Sequence, residues 1–194
     1  MASYRIKGTG YVGHLKWVEE KYPGGQAAFF EHCDPTLRAY FQQTFLENQS
    51  YDLYPLVNAA PVCARALKMT AHQFVVMRSV YQANYDQAGV YRLLFKIVSP
   101  NMLAPRIPKT MAQYFNFGKT DVLEHGAGFA KFAFGPLPDD LVDWFDALFA
   151  GFIPAVLEQS SAKGASARLI ERTPCGWDQD GAKMAQMTVE VRWS

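Results

Sequence analysis

Histidine, cysteine and closely spaced carboxylates are the side chains from which most catalytic and metal sites are built, and this chain spreads them thinly. Its four histidines, His14, His32, His72 and His125, stand far apart. No pair has the i, i+4 spacing that turns two imidazoles toward one metal from a single helix face. In His32-Cys33-Asp34 the neighbours point about 100° apart on a helix, so they do not converge on one ion. Cys175 stands in a glycine-containing segment, Thr173 to Ala182, where an exposed nucleophile is conceivable, but its charged neighbours Arg172, Asp178 and Asp180 offer it no general base. Asp139 and Asp140 follow Pro138 and fit the first turn of a helix, where the dipole favours acids, better than an acid–base pair. The chain has no Gly-x-Ser-x-Gly elbow and no phosphate-cradling loop, and Gly8, Gly10 and Gly13 give only part of a dinucleotide fingerprint. The sequence therefore predicts no catalytic residue, no metal site and no enzymatic activity.

What the chain has in quantity is aromatic side chains: 14 Phe, 10 Tyr and 4 Trp among 194 residues, with 49% apolar and 19% charged residues overall. Rings dominate both bulky cores and apolar binding surfaces. The candidate lining of an apolar pocket is Tyr81, Tyr91, Phe95, Tyr114, Phe132 and Trp144, and the partner it implies is an apolar or aromatic small molecule, with the cofactor left unassigned. A net charge of +1 gives no field to gather nucleic acid. Three well-separated cysteines, Cys33, Cys63 and Cys175, predict free thiols and a reducing, cytoplasmic setting. No run approaches the roughly eighteen apolar residues of a membrane span, and the N-terminal residues lack the apolar core of a signal peptide.

The elements that must position these rings follow from periodicity. Tyr4 to Thr9 reads as an opening strand or a strap, and a helix carrying Leu15, Val18 and Tyr22 follows until Pro23-Gly24-Gly25 stops it. Asp34-Pro35 starts a helix through Phe45, and another runs from Val57 to Leu67 around Pro61. Thr70 caps a helix whose stripe is Phe74, Met77, Tyr81 and Tyr85; a further helix spans about Gln87 to Val98, and a short one carries Leu103, Ile107, Met111 and Tyr114. After Gly118 the pattern changes to two strands around Gly126-Ala127-Gly128, then a helix with Leu141, Trp144, Phe145, Leu148 and Phe152 at steps of three and four. A last strand pair, Ala167 to Arg172 and Met187 to Trp193, flanks the Cys175 segment, with Met187, Val189, Val191 and Trp193 sharing one face. The predicted fold is α+β over residues 1–194 as a single domain: an N-terminal helical part packed on a small four-stranded antiparallel sheet with an inserted helix.

From about Tyr91 onward the chain resembles a known superfamily. Tyr91-Arg92-Leu93-Leu94-Phe95-Lys96-Ile97-Val98-Ser99-Pro100, Tyr114-Phe115 before a glycine, the Trp144-Phe145 to Phe152 helix, and the Cys175 segment running into Val189-Glu190-Val191-Arg192-Trp193 look like a myxobacterial paralogous family of unknown function. That family is similar to four-vinyl-reductase-type ligand-binding domains, to haem-nitric-oxide-binding (H-NOX) sensors and to the Bet3-like subunits of TRAPP complexes. The resemblance implies a non-enzymatic sensor or signalling domain. The expected assembly is a homodimer, and the alternatives are a protein-interaction and dimerisation adaptor module or a haem sensor with a non-standard axial ligand. The last arises because the haem-ligating histidine of H-NOX sensors falls near Tyr91 or Arg92 here, and their propionate-binding Tyr-x-Ser-x-Arg strand reads Phe132-Ala133-Phe134-Gly135-Pro136.

Overall fold

The computed structural model describes residues 4–88, 100–102, 106–160 and 162–194. A short strand, β1 (Arg5–Lys7), pairs antiparallel with β2 (Ser50–Asp52), Ile6 opposite Tyr51. Between them lie α1 (Thr9–Lys21), α2 (Gly25–His32) and α3 (Pro35–Phe41). The stop expected at Pro23-Gly24-Gly25 does end α1, but Gly24, at φ 83°, takes the left-handed turn that lets α2 begin at once. The start of α3 is the expected one, with Asp34 Oδ1 accepting from the backbone N–H groups of Thr36 and Leu37, each at 2.9 Å. That helix stops at Phe41, short of Phe45; Phe45 is instead brought in from the following loop to stack on Tyr11 with ring centroids 4.3 Å apart.

Helix α4 (Tyr54–Ala66) accommodates Pro61, and α5 (Ala71–Ala88) opens on a reciprocal capping box. There the Gln73 N–H donates to Thr70 Oγ1 at 3.1 Å and the Thr70 N–H to Gln73 Oε1 at 2.9 Å. The helix expected over about Gln87 to Val98, and Leu103 of the short helix after it, fall almost wholly outside the described residues; α6 (Ile107–Tyr114) carries the rest of that short helix.

The sheet has the strand order β3 (Lys119–Gly126), β4 (Phe129–Pro138), β6 (Lys183–Arg192), β5 (Ser166–Trp177), all neighbours antiparallel. Register puts Ala130 opposite Val191, Phe132 opposite Val189 and Phe134 opposite Met187, so one face of the two central strands is wholly apolar and buried. The other face carries charge: Glu190, between Lys131 and Arg168 in register, accepts from Arg192 and Arg168, and these bonds, Arg192 first, hold its carboxyl down to about 2. The segment after Arg172, expected as loop, continues β5 to Trp177 before the turn.

Helix α7 (Val142–Glu158) lies on the apolar face of this sheet and is buried on nearly every side. Phe149 meets Phe132 edge-on at 5.5 Å, and Phe145 packs on Phe134 and Phe115, each at 5.0 Å. On its far side α7 packs along α5. The order of layers is thus sheet, α7, α5, then α1 and α4. Two glycines set the spacing of the helical layers: a Cβ on Gly151 of α7 would stand 2.2 Å from the Val76 carbonyl oxygen of α5, and a Cβ on Gly13 of α1 would stand 2.3 Å from Gln82 Oε1. Gly151→Ala is expected to lower the unfolding free energy by about 1–3 kcal/mol, since backbone at such a contact must shift; urea denaturation measures it, and an unchanged midpoint and slope would show that the helices are not held at this distance.

Candidate functional site

The buried face of α5 is not the aromatic stripe that its periodicity suggests. Met77 and Val80 are exposed, while Arg78, Ser79, Gln82 and Asp86 are 6%, 1%, 4% and 1% exposed. Residues four apart on a helix stack on one face, so Arg78, Gln82 and Asp86 form a ladder. Arg78 Nη2 donates to Gln82 Oε1 at 2.8 Å, and Gln82 Nε2 donates onward to Asp86 Oδ1 at 2.8 Å. Neighbouring helices complete it. Arg78 Nη2 also donates to the Gly10 carbonyl at 2.6 Å, Gln82 Nε2 to the Thr9 carbonyl at 3.2 Å, Thr9 Oγ1 to Asp86 Oδ1 at 2.7 Å and the Tyr114 hydroxyl to Asp86 Oδ2 at 2.6 Å. The ladder therefore ties α5 to α1 and to α6.

Burial pulls both charges toward neutrality. Desolvation lowers the Arg78 guanidinium to about 10, with Asp86 the leading influence in the other direction, so it stays protonated at neutral pH. Desolvation likewise raises the Asp86 carboxyl, opposed by its bonds from Tyr114, Thr9 and Gln82. Arg78 Nε and Ser79 Oγ have no hydrogen-bond partner among the described residues.

Beside this ladder lies a partly open cavity of about 70 Å³. Its walls are Ile6 and Gly10 on one side, Arg78, Ser79 and Gln82 from α5, and Arg106, Ile107, Thr110, Met111, Tyr114 and Phe115 in and around α6. The remainder comes from α7, as Leu148, Phe149, Phe152, Ile153 and Val156. Among the described lining residues none is Asp, Glu, His or Cys.

Of the residues expected to line a pocket, Tyr114 is in this wall. Phe132 is fully buried behind it, against Phe149, and Trp144 packs edge-on against Phe145 at 5.2 Å. Tyr81 sits nearer the surface, its hydroxyl donating to Glu20 at 2.9 Å. Tyr91 and Phe95 lie outside the described residues. Reasoning from apolar stripes misses Arg78, Ser79 and Gln82; the step of four from 78 to 82 to 86 marks Arg78 and Gln82, and nothing in the spacing marks Ser79.

The remaining chemistry-bearing residues are dispersed. The Tyr22 hydroxyl and His32 Nδ1 share a hydrogen bond at 2.7 Å, His72 approaches Asp146 at 3.4 Å, and His125 is exposed on β3. Cys33 and Cys63 are buried free thiols, Cys175 is exposed and free, and no cluster of metal-ligating side chains occurs among the described residues. His14 is the exception in burial. It is 1% exposed within rings of Phe29, Phe41 and Phe74, and neither ring nitrogen has a partner among the described residues. Desolvation, with Arg78 adding repulsion, holds it well below the usual imidazole value.

No protein-family model matches the sequence, and no curated protein does. Solved structures show the class: the fold is that of H-NOX domains. The Fe(II) unliganded H-NOX protein from K. algicida superposes with a TM-score of 0.64 at 12% identity over 97% of each chain. An oxygen-binding H-NOX domain related to soluble guanylate cyclases, solved as its oxygen complex, gives 0.67 at 10% identity over 97% of this chain and 95% of that one. A point mutant of the T. tengcongensis H-NOX gives 0.69 at 11% identity over 97% and 98%. The likeness is one of fold.

The described residues do not fit the haem that this fold brings to mind. Every histidine of the chain is described, and none lines the cavity. Sites for drug-sized ligands run to about 300–1,000 Å³, far beyond the 70 Å³ here, and a porphyrin needs at least as much. Among the described residues no helix is long and apolar enough to cross a membrane.

A histidine kept neutral by burial makes the fold acid-sensitive. The folded value of His14 lies below the ordinary 6.5, so its contribution is complete above that pH and is lost as pH falls through it, by up to about 2 kcal/mol at pH 5. Asp86 runs the other way, because its raised carboxyl favours the fold as pH falls. The difference between proteins isolates His14: in urea unfolding at pH 8 and pH 5, His14→Phe is expected to lose less stability on acidification than the parent, and equal losses would contradict a neutral buried imidazole.

Proposed function

We propose that this chain is a non-enzymatic sensor module that holds a small, mainly apolar molecule in the cavity between α5, α6 and α7. The observation that carries the reading is the cavity itself, with walls that are mostly apolar and a border made by a hydrogen-bonded ladder joining three helices. A polar framework of this kind fixes the wall, and an apolar wall rewards an apolar guest. The H-NOX fold supports it, since one neighbour is by name an oxygen-binding domain, and so does the resemblance of the C-terminal half to four-vinyl-reductase-type ligand-binding domains. The described wall offers neither a thiol nor a general base, which favours binding over catalysis.

A ligand that enters alters the packing between α5 and α7, and α7 passes that change to the sheet it lies on. The Leu169 N–H donates to Asp146 Oδ1 at 3.1 Å, a direct bond from α7 to the edge strand β5. Occupancy of the cavity would thus be read at the sheet.

The test uses the intact protein with isobutanol and with xenon, both neutral and of the cavity's size. Saturable methyl shifts in NMR spectra at Ile107, Met111 and Leu148 are expected with either; perturbations that rise without saturation, or that spread over the surface, would remove the site. Haemin added to the same protein and passed through a desalting column is expected to leave no Soret band. A stoichiometric band would replace this reading with that of a haem sensor.

A further inference from the structure

Helix α7 contributes Leu148, Phe149, Phe152, Ile153 and Val156 to the cavity wall. Residues three or four apart on a helix are neighbours on its surface. Phe152 therefore has Leu148, Phe149 and Val156 around it and Ile153 beside it, which puts it in the middle of the stripe. Leu148, Phe149, Ile153 and Val156 are 9%, 2%, 8% and 4% exposed, whereas Phe152 is only partly buried. On the α6 side of the wall Thr110 is partly buried as well. A side chain at the centre of an otherwise buried stripe that still meets water stands where the partly open cavity reaches solvent.

The other rings of the wall are held in place by separate duties. Phe149 meets Phe132, Phe134 and Phe145 at 5.5, 5.9 and 5.7 Å, Phe115 packs on Phe134 and Phe145, and the Tyr114 hydroxyl is bonded to Asp86. Phe152 meets Tyr114 edge-on at 6.0 Å, a contact between two members of the wall itself. Its bulk thus bears directly on the space inside. That space, about 70 Å³, is well short of the roughly 150 Å³ of an apolar cavity that holds benzene. Removing the Phe152 ring would vacate the room of one aromatic ring at the mouth.

We infer that Phe152 is the specificity-determining residue of the cavity, its ring at the mouth limiting the guest to molecules smaller than benzene, an inference that rests on the binding function proposed above.

Methyl NMR titrations of the full chain with xenon, isobutanol and benzene test this. The parent is expected to saturate with xenon and isobutanol and not with benzene. Phe152→Ala is expected to saturate with benzene, at least tenfold more tightly than the parent; where that variant does not fold, Phe152→Leu is expected to shift the preference the same way by a smaller factor. Deleting a ring from any core leaves a hole, so the opposite change is needed too: Phe152→Trp is expected to weaken isobutanol at least tenfold while leaving the resonances of the sheet unmoved. Benzene bound equally well by parent and Phe152→Ala, or isobutanol bound equally well by parent and Phe152→Trp, would overturn the assignment and leave the binding function standing. If xenon and isobutanol do not saturate in the parent, the binding function falls and the inference with it.

Discussion

Placing a guanidinium and a carboxylate inside a body of phenylalanines costs several kcal/mol for each ion unless its hydrogen-bonding groups are answered. The Arg78, Gln82, Asp86 ladder is where this chain meets that constraint. Gln82 is the middle rung because an amide both accepts from the arginine and donates to the aspartate, so the two charges are coupled without contact. The outer bonds reach Thr9 and Gly10 on α1 and Tyr114 on α6.

The close approach of the helices follows from the same demand. Arg78 reaches the Gly10 carbonyl, and Gln82 reaches Thr9, where α1 presents Gly13 to Gln82 of α5 and a larger residue would press on that side chain. On the opposite side Gly151 lets α7 sit against the Val76 carbonyl. The cavity lies between α5, α6 and α7, with Phe149 and Phe152 of α7 in its wall. The site is thus a consequence of how the helices are spaced, and its polarity is set by what α5 must bury.

The sheet and α7 were legible in the sequence because their rules are local. Met187, Val189, Val191 and Trp193 alternate with Thr188, Glu190 and Arg192, and Leu141, Trp144, Phe145, Leu148 and Phe152 repeat at helical steps; all of both apolar sets are buried in the structure except Trp193 and Phe152, which are partly buried. The polar side of α5 was not legible, because periodicity assumes that the apolar stripe faces inward, and Met77 and Tyr81 look like a better core than Arg78 and Gln82. What buries the polar stripe is distant in sequence: Thr9 is 77 residues from Asp86, and Tyr114 is 28. Helix α2 escaped for a smaller reason, since Gly24 and Gly25 read as a terminator and serve also as the turn into a new helix. Tyr114 was singled out as a ring for an apolar pocket; it lies in the cavity wall and its hydroxyl also serves the ladder.

The account stands on the ladder acting as a unit, and a double-mutant cycle between Asp86 and Tyr114 measures that most directly. Unfolding free energies of the parent, Tyr114→Phe, Asp86→Ala and the double variant give the coupling across the 2.6 Å hydrogen bond. The expected coupling is about 1–3 kcal/mol, the range for buried, charge-assisted pairs in one network. Additive losses, with a coupling indistinguishable from zero, would mean that the two residues act separately and that the helices around the cavity are held by packing alone.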